Sequence, residues 1–276
     1  MAEGKSTDHS SLKLKSVIHD DDSKDNEEDK GDLPDDLSLE KPSLKVPKKK
    51  LLILCLGGLL CHRVCRKRGP SYDYVQTNRR PDAAYGSFKV YKRPFCDDFV
   101  KFCFERFEVG IWSSAREWYM NDALDGVMRG FRSKLLFAWD QDRCTDSGFK
   151  TLENKKKPIF LKQFKQLSAL SWCKGQETSL NTLLIDNEPY KSLLNPSHTA
   201  IFPDEYTVDC VNDSALGPEG DLRVYLEGLA DAKDVPSYVN DHPFGKPAIT
   251  PLHPDWDFYS KIVRRHSKEP IVNKQG

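Results

Sequence analysis

The chain has 276 residues, in which 42 Lys and Arg balance 42 Asp and Glu, so its formal net charge is zero. That length fits one medium domain with a tail, and a neutral chain projects no global field toward nucleic acid or an anionic membrane. Direct nucleic-acid binding is not expected.

Residues 1–46 contain no aromatic residue and carry the acidic clusters "DDDSKDNEED" and "DLPDDLSLE". Such a segment buries too little surface to offset its ordering entropy, which predicts a disordered acidic tail. Its start lacks the apolar core of a secretory signal and the Arg-rich, acid-poor helix of a mitochondrial presequence. Lys48, Lys49 and Lys50 follow as a basic knot, read as solvated charges before a strand, with a weak nuclear-import signal as the alternative.

The apolar run from Leu51 to Cys61 is shorter than the roughly 20 residues that cross a bilayer, so no transmembrane segment is expected. With neither signal nor span, the eight cysteines are predicted to be reduced thiols in an intracellular compartment. Cys55, Cys61, His62 and Cys65 lie close together, but no C-x-x-C pair exists, and a zinc site is not expected. No cysteine has an Arg six positions on, which excludes the phosphate-clamping loop of cysteine-dependent phosphatases.

From Lys50 onward short apolar runs alternate with amphipathic stretches. "LLILCL" at 51–56 has the continuous apolarity of a strand buried on both faces. Residues 63–95 read as a polar, turn-rich insertion near the site with one strand-like piece, "SFKVYKRPF". "PFCDDFVKFCFERF" predicts a helix that places Phe95, Phe99, Phe102, Cys103 and Phe107 on one face. Strands are expected at 108–112, 134–140, 181–187 and 199–202. Helices are expected at 114–131, introduced by a Ser cap, and at 157–170, with Pro158 at an N1-like position. After "LGPEG" comes one more helix, then a wrapping C-terminal segment from "HPFG". The alternation implies an α/β fold, a Rossmannoid parallel sheet with helices on both faces.

Ligands gather at the carboxyl ends of the strands of such a sheet. Those ends carry Cys55-Leu-Gly57-Gly58, Ser113-Ser114 and Asp186-Asn187, with Lys162 between. A glycine loop, a hydroxyl, a lysine and a carboxylate in that order would make a phosphate and metal site. Taken singly, each has a plainer meaning. The serines would cap a helix, Lys162 would be solvated, Asp186-Asn187 would end a strand in a turn, and Cys55 would be a small buried hydrophobe.

Five blocks in order, "KRPFCDDFVKFCFERFEVGIWSSA", "LLFAWDQDRCT", "FKTLENKKKPIFLK", "LLIDNEPYK" and "GDLRVYLEGLA", carry a resemblance. From about Lys48 to Asn240 the chain resembles the carboxy-terminal-domain phosphatase-like, or NLI-interacting-factor-like, family of the haloacid dehalogenase superfamily, most closely plant-type members. The resemblance implies that superfamily's fold, a phosphatase-like domain over 47–262 and a C-terminal tail over 263–276. It implies phosphoryl transfer to an aspartate at the end of the first strand, a second Asp two residues on as general acid and base, and Mg²⁺. Ser113 and Lys162 would hold phosphate, with Ser114 and Gly58 beside them, and Asp186 and Asn187 would hold the metal.

The first motif departs from that pattern. Cys55 stands where the nucleophilic Asp belongs and Gly57 where the general acid belongs. Sulfur is a poor ligand for Mg²⁺, and Gly57 can carry no proton, so weak or absent metal binding and no useful turnover are expected. The resulting expectation is a degenerate phosphatase-like domain that binds a protein or phosphopeptide, in the nucleus or cytoplasm. One alternative is an active Mg²⁺-dependent phosphoserine/threonine protein phosphatase. A second is the polypeptide-binding subunit of the mitochondrial inner-membrane presequence translocase.

Overall fold

The computed structural model describes residues 49–65, 77–174 and 177–267. The predicted acidic tail, Lys48, part of the insertion and residues 268–276 lie outside the described residues. In chain order the elements are β1 (Leu51–Leu54), β2 (Cys61–Cys65), β3 (Ala83–Tyr85), β4 (Phe88–Lys92), α1 (Cys96–Arg106), β5 (Glu108–Trp112), α2 (Glu117–Val127) and β6 (Phe137–Trp139). There follow β7 (Thr145–Lys150), β8 (Pro158–Leu161), β9 (Thr182–Ile185), β10 (Ala200–Ile201), α3 (Asp221–Asp231), α4 (Val235–Asp241) and α5 (Trp256–Ser267).

Five strands form a parallel sheet in the order β10-β9-β1-β5-β6. Every side chain of β1 is fully buried because the strand is covered on both faces. Leu52 and Leu54 face a cluster with Phe99, Ile111 and Leu226, while Leu51 and Ile53 face Trp112, Phe137 and Phe164. This is the period-2 alternation of a strand with two apolar neighbours. The register pairs Leu54 with Ile111 on one side and with Ile185 on the other. Cys55, Ser113 and Asp186 therefore emerge together at one end of the sheet. The α/β fold with a parallel sheet agrees with the expectation from the sequence.

Several local expectations are corrected. Residues 157–170 are not one helix. Pro158 opens β8, which pairs antiparallel with β7, and a short 3₁₀ segment follows at Phe164–Ala169. A proline is as acceptable at the first residue of an edge strand as at a helix start, so Pro158 by itself does not distinguish the two. The helix after Ser114 begins at Glu117, with Arg116 as N-cap and no side-chain capping bond, so no Ser cap exists. Phe95 does not share the buried face of α1. It is the N-cap, has left-handed φ (63°) and is 49% exposed. The insertion holds three strands in the antiparallel order β2-β4-β3 rather than one. The single helix expected after the Gly/Pro turn is two, α3 and α4, with Asp234 capping the second through Ser237 N–H. The C-terminal segment contains α5.

The basic knot is also different. Lys50 is buried, and its Nζ donates to the carbonyls of Ala230 (3.1 Å) and Ala232 (2.6 Å) at the end of α3, while Lys49 reaches Phe104 O. An ammonium at a helix C-terminus satisfies carbonyls that lack intrahelical partners. Lys50 is thus structural rather than solvated, while Lys49 stays exposed.

Candidate functional site

A cavity of about 140 Å³ opens at the carboxyl ends of β1 and β5. Its walls include Cys55, Gly57, Cys61, Arg63, Ser113, Ser114, Lys162 and Lys191. By the same measure one water needs about 10–15 Å³, so a multi-atom group fits.

Beside the cavity Lys162, Asp186 and Lys191 form one ion cluster. Lys162 follows β8, and its backbone N–H donates to the Lys191 carbonyl (2.7 Å), which brings the two side chains together. Lys162 Nζ donates to Asp186 Oδ2 (2.5 Å) and to the Trp112 carbonyl (2.5 Å). Lys191 Nζ donates to Asp186 Oδ1 (2.8 Å), which also accepts from Glu188 N–H (3.1 Å). Lys162 and Asp186 are completely buried. Burial opposes the charge of Asp186, but the two ammonium groups outweigh it and hold the carboxyl below its usual range. Burial likewise works against the Lys191 ammonium, and Asp186 outweighs it, so the Lys191 pKa is raised.

Cys55 sits at the end of β1, where its N–H donates to the Ile185 carbonyl (3.0 Å). Burial first, and Asp186 second, push its thiol up to about 12. At pH 7 the group is therefore held as the neutral thiol. Cys61 is pushed up to about 12 as well, chiefly by burial.

Of the residues singled out in the sequence, Cys55, Gly57, Ser113, Ser114 and Lys162 face the cavity. Ser113 is held by its N–H to the Trp139 carbonyl (2.7 Å), and its Oγ accepts from Ala115 N–H (3.1 Å), an ST turn rather than a helix cap. Gly58 is turned away from the cavity. Its N–H donates to the Cys61 carbonyl (2.9 Å), so this amide is already used within the loop. Asp186 stands behind the two lysines. Asn187 packs against Gly58, where an added Cβ would come within 2.8 Å of its Nδ2.

Asp186 and Asn187 as they stand do not fit a divalent cation. Both Asp186 oxygens accept from ammonium groups, position 55 offers sulfur, and position 57 offers no side chain. Mg²⁺ demands near-octahedral oxygen ligation, and two adjacent ammonium charges oppose it. Among the described residues no group of three or more His, Cys, Asp and Glu side chains is placed to hold a metal.

Two cavity residues were missed in the sequence. Lys191 was not singled out, and a 3₁₀ turn at Pro189–Ser192 folds it back onto Asp186. Arg63, in the polar insertion, was not singled out either, yet its side chain is only 5% exposed. Among the described residues no helix is long and apolar enough to cross a membrane.

The cavity lies at the carboxyl ends of the parallel strands, the end of such a sheet at which ligands gather. The family model described as NLI interacting factor-like phosphatase matches residues 50–236, and the chain belongs to this family. No curated protein matches it. Among solved structures, it is similar to Fcp1, described as an essential RNA polymerase II CTD phosphatase, at 15% identity and a TM-score of 0.36. That alignment covers 79% of this chain and 62% of the other. A fission yeast Fcp1 variant bound to beryllium fluoride gives 14% identity, a TM-score of 0.37, and coverage of 79% and 63%. The chain thus spans less than two thirds of the length of these structures.

Proposed function

We propose that this phosphatase-family domain holds a phosphorylated peptide without hydrolysing it. The observation that carries the reading is the end of β1. A neutral, buried thiol with its pKa near 12 occupies the nucleophile's place, and Gly57 occupies the general acid's place. A thiol this reluctant to ionise is a poor nucleophile, and glycine transfers no proton. What the cavity keeps is a hydroxyl at Ser113 and the ammonium groups of Lys162 and Lys191, which suit a phosphate monoester.

Two measurements test this. Purified protein should bind a phosphoserine peptide in calorimetry and ignore its unphosphorylated form, and with Mg²⁺ it should release no phosphate from the peptide or from an aryl phosphate. The double variant Cys55→Asp with Gly57→Asp should gain hydrolysis of the aryl phosphate. A Cβ at position 57 meets nothing within 4 Å, so the new carboxylate has room. Hydrolysis by wild type that Cys55→Ala abolishes would replace this reading with an active, thiol-dependent phosphatase.

A further inference from the structure

Lys162 and Lys191 hold the same carboxylate from different depths. The Lys162 side chain is completely buried, and its Nζ already serves two acceptors, Asp186 Oδ2 and the Trp112 carbonyl. The Lys191 side chain is 11% exposed and forms part of the cavity wall with Cys55, Gly57 and Ser113. Among the described residues its Nζ has one hydrogen-bond partner, Asp186 Oδ1 at 2.8 Å. An ammonium group carries three N–H donors. Two of them remain on Lys191, and rotation about the Cε–Nζ bond turns them to an acceptor that enters the cavity.

Backbone bonds on both sides deliver this amine to its place. Lys191 N–H donates to the Glu188 carbonyl (3.1 Å) within the 3₁₀ turn, and the Lys191 carbonyl accepts from Lys162 N–H (2.7 Å). Asp186 is the carboxylate to which the family resemblance assigns the metal, yet its Oδ1 is taken by Lys191 and its Oδ2 by Lys162. Two ammonium groups against one carboxylate leave the cluster with a net positive charge. A phosphate monoester brings about −1.5 to −2. The charge that a divalent ion would offer it is supplied here by the chain, and Lys191 is the member of the cluster with donors to spare.

We propose that Lys191 is the resident cation that takes a divalent ion's part in this site, its spare N–H groups donating to a phosphate oxygen while its remaining bond to Asp186 holds it in position. This inference rests on the phosphopeptide reading and adds two statements to it: binding needs the Lys191 ammonium, and it does not need Mg²⁺.

The experiment is calorimetric titration of a phosphoserine peptide at constant ionic strength, in Mg²⁺ and in EDTA, with wild type and Lys191→Met. Wild type should bind equally in both buffers. Lys191→Met leaves Asp186 bonded to Lys162 Nζ and to Glu188 N–H, so the rest of the cluster keeps its partners. It removes the cavity-facing donors and should weaken binding at least about tenfold, the loss of one charge-assisted hydrogen bond. In wild type the Lys191 ¹⁵Nζ resonance, traced to its backbone by side-chain correlations, should shift on adding the peptide, a readout that stands even if the variant folds poorly. If the peptide binds but depends on Mg²⁺, or binds folded Lys191→Met as tightly, or leaves the Nζ resonance unmoved, the inference is overturned and the phosphopeptide reading stands. If wild type binds the peptide in neither buffer, both fall.

Discussion

The two halves of the site differ in how deeply they are built into the fold. On one side Lys162, Asp186 and Lys191 are buried and satisfy one another. On the other, Cys55 and Gly57 make few specific contacts, and Gly57 stands beside open space. Removing one member of a buried ion cluster strands the others, whereas changing a small side chain next to a cavity disturbs little. The cluster would therefore be required for folding whether or not it does chemistry, so its presence alone is weak evidence for a working site. Ser113, which lines the cavity without belonging to the ion cluster, is a better reporter of ligand binding.

The largest expected effect tests that difference. Asp186→Ala leaves two ammonium groups facing each other in a dry site and should destabilise the domain by about 3–5 kcal/mol in urea unfolding. A loss below about 1 kcal/mol would mean that water screens the cluster and that the halves are alike. The pH response has a defined sign. The Asp186 carboxyl is held below its usual range, so its stabilisation is present above its unfolded pKa and is lost as pH falls through the folded one. Lys162→Ala should be similarly costly, and loss of binding in that variant would not separate folding from recognition.

Next in size is Gly58→Ala. Gly58 has φ of +77°, and an added Cβ would come within 2.8 Å of Asn187 Nδ2 and 3.0 Å of Glu205 Cγ. The left-handed backbone alone costs an alanine about 1–2 kcal/mol, and the contacts add to it. Urea unfolding should show a loss of at least about 1 kcal/mol. A neutral result would mean that the loop refolds freely and fixes nothing.

How legible was all this in the sequence? The parallel sheet was readable because its strands are continuous apolar runs, and strand ends in such a sheet converge, so Cys55, Ser113 and Asp186 could be placed together from order alone. Lys162 was placed from its order in the chain and through the family resemblance, although the helix expected around it is a strand end followed by a 3₁₀ segment. Lys191 and Arg63 carried no local signal. Their burial depends on a backbone bond between Lys162 and Lys191 and on rings at positions 88 and 119, contacts far apart in the chain. The same holds for Lys50, whose partners lie 180 and 182 residues away.

A smaller effect belongs to Cys55 itself. Its thiol has a higher pKa folded than unfolded, so the unfolded chain loses the proton first and stability falls as pH rises from about 9 toward 12. At pH 10 this one group would account for about 1–2 kcal/mol. Comparing wild type with Cys55→Ala across pH 8–11 isolates it, because the other buried thiols remain in both. In the native protein iodoacetamide should modify the exposed Cys210 well before Cys55. Rapid labelling of Cys55 at neutral pH would identify an activated thiol and undo the division between the two halves.

The smallest effect is expected at Gly57, and it bears most directly on why that half of the site is bare. Unlike Gly58, Gly57 has φ outside the left-handed region, and a Cβ there would meet nothing within 4 Å. An alanine adopts such a backbone without strain and restricts the unfolded chain, so Gly57→Ala should stabilise the domain by about 0.4–1 kcal/mol in urea unfolding. Phosphopeptide affinity should change less than in Lys191→Met, since a methyl group removes no donor. A loss of more than about 1 kcal/mol would show that the loop needs glycine at both positions. The missing side chain at position 57 would then have a folding cause, the Cys55→Asp with Gly57→Asp variant could not refill the site, and the contrast between a built half and a bare half would give way to one loop constrained throughout by its backbone.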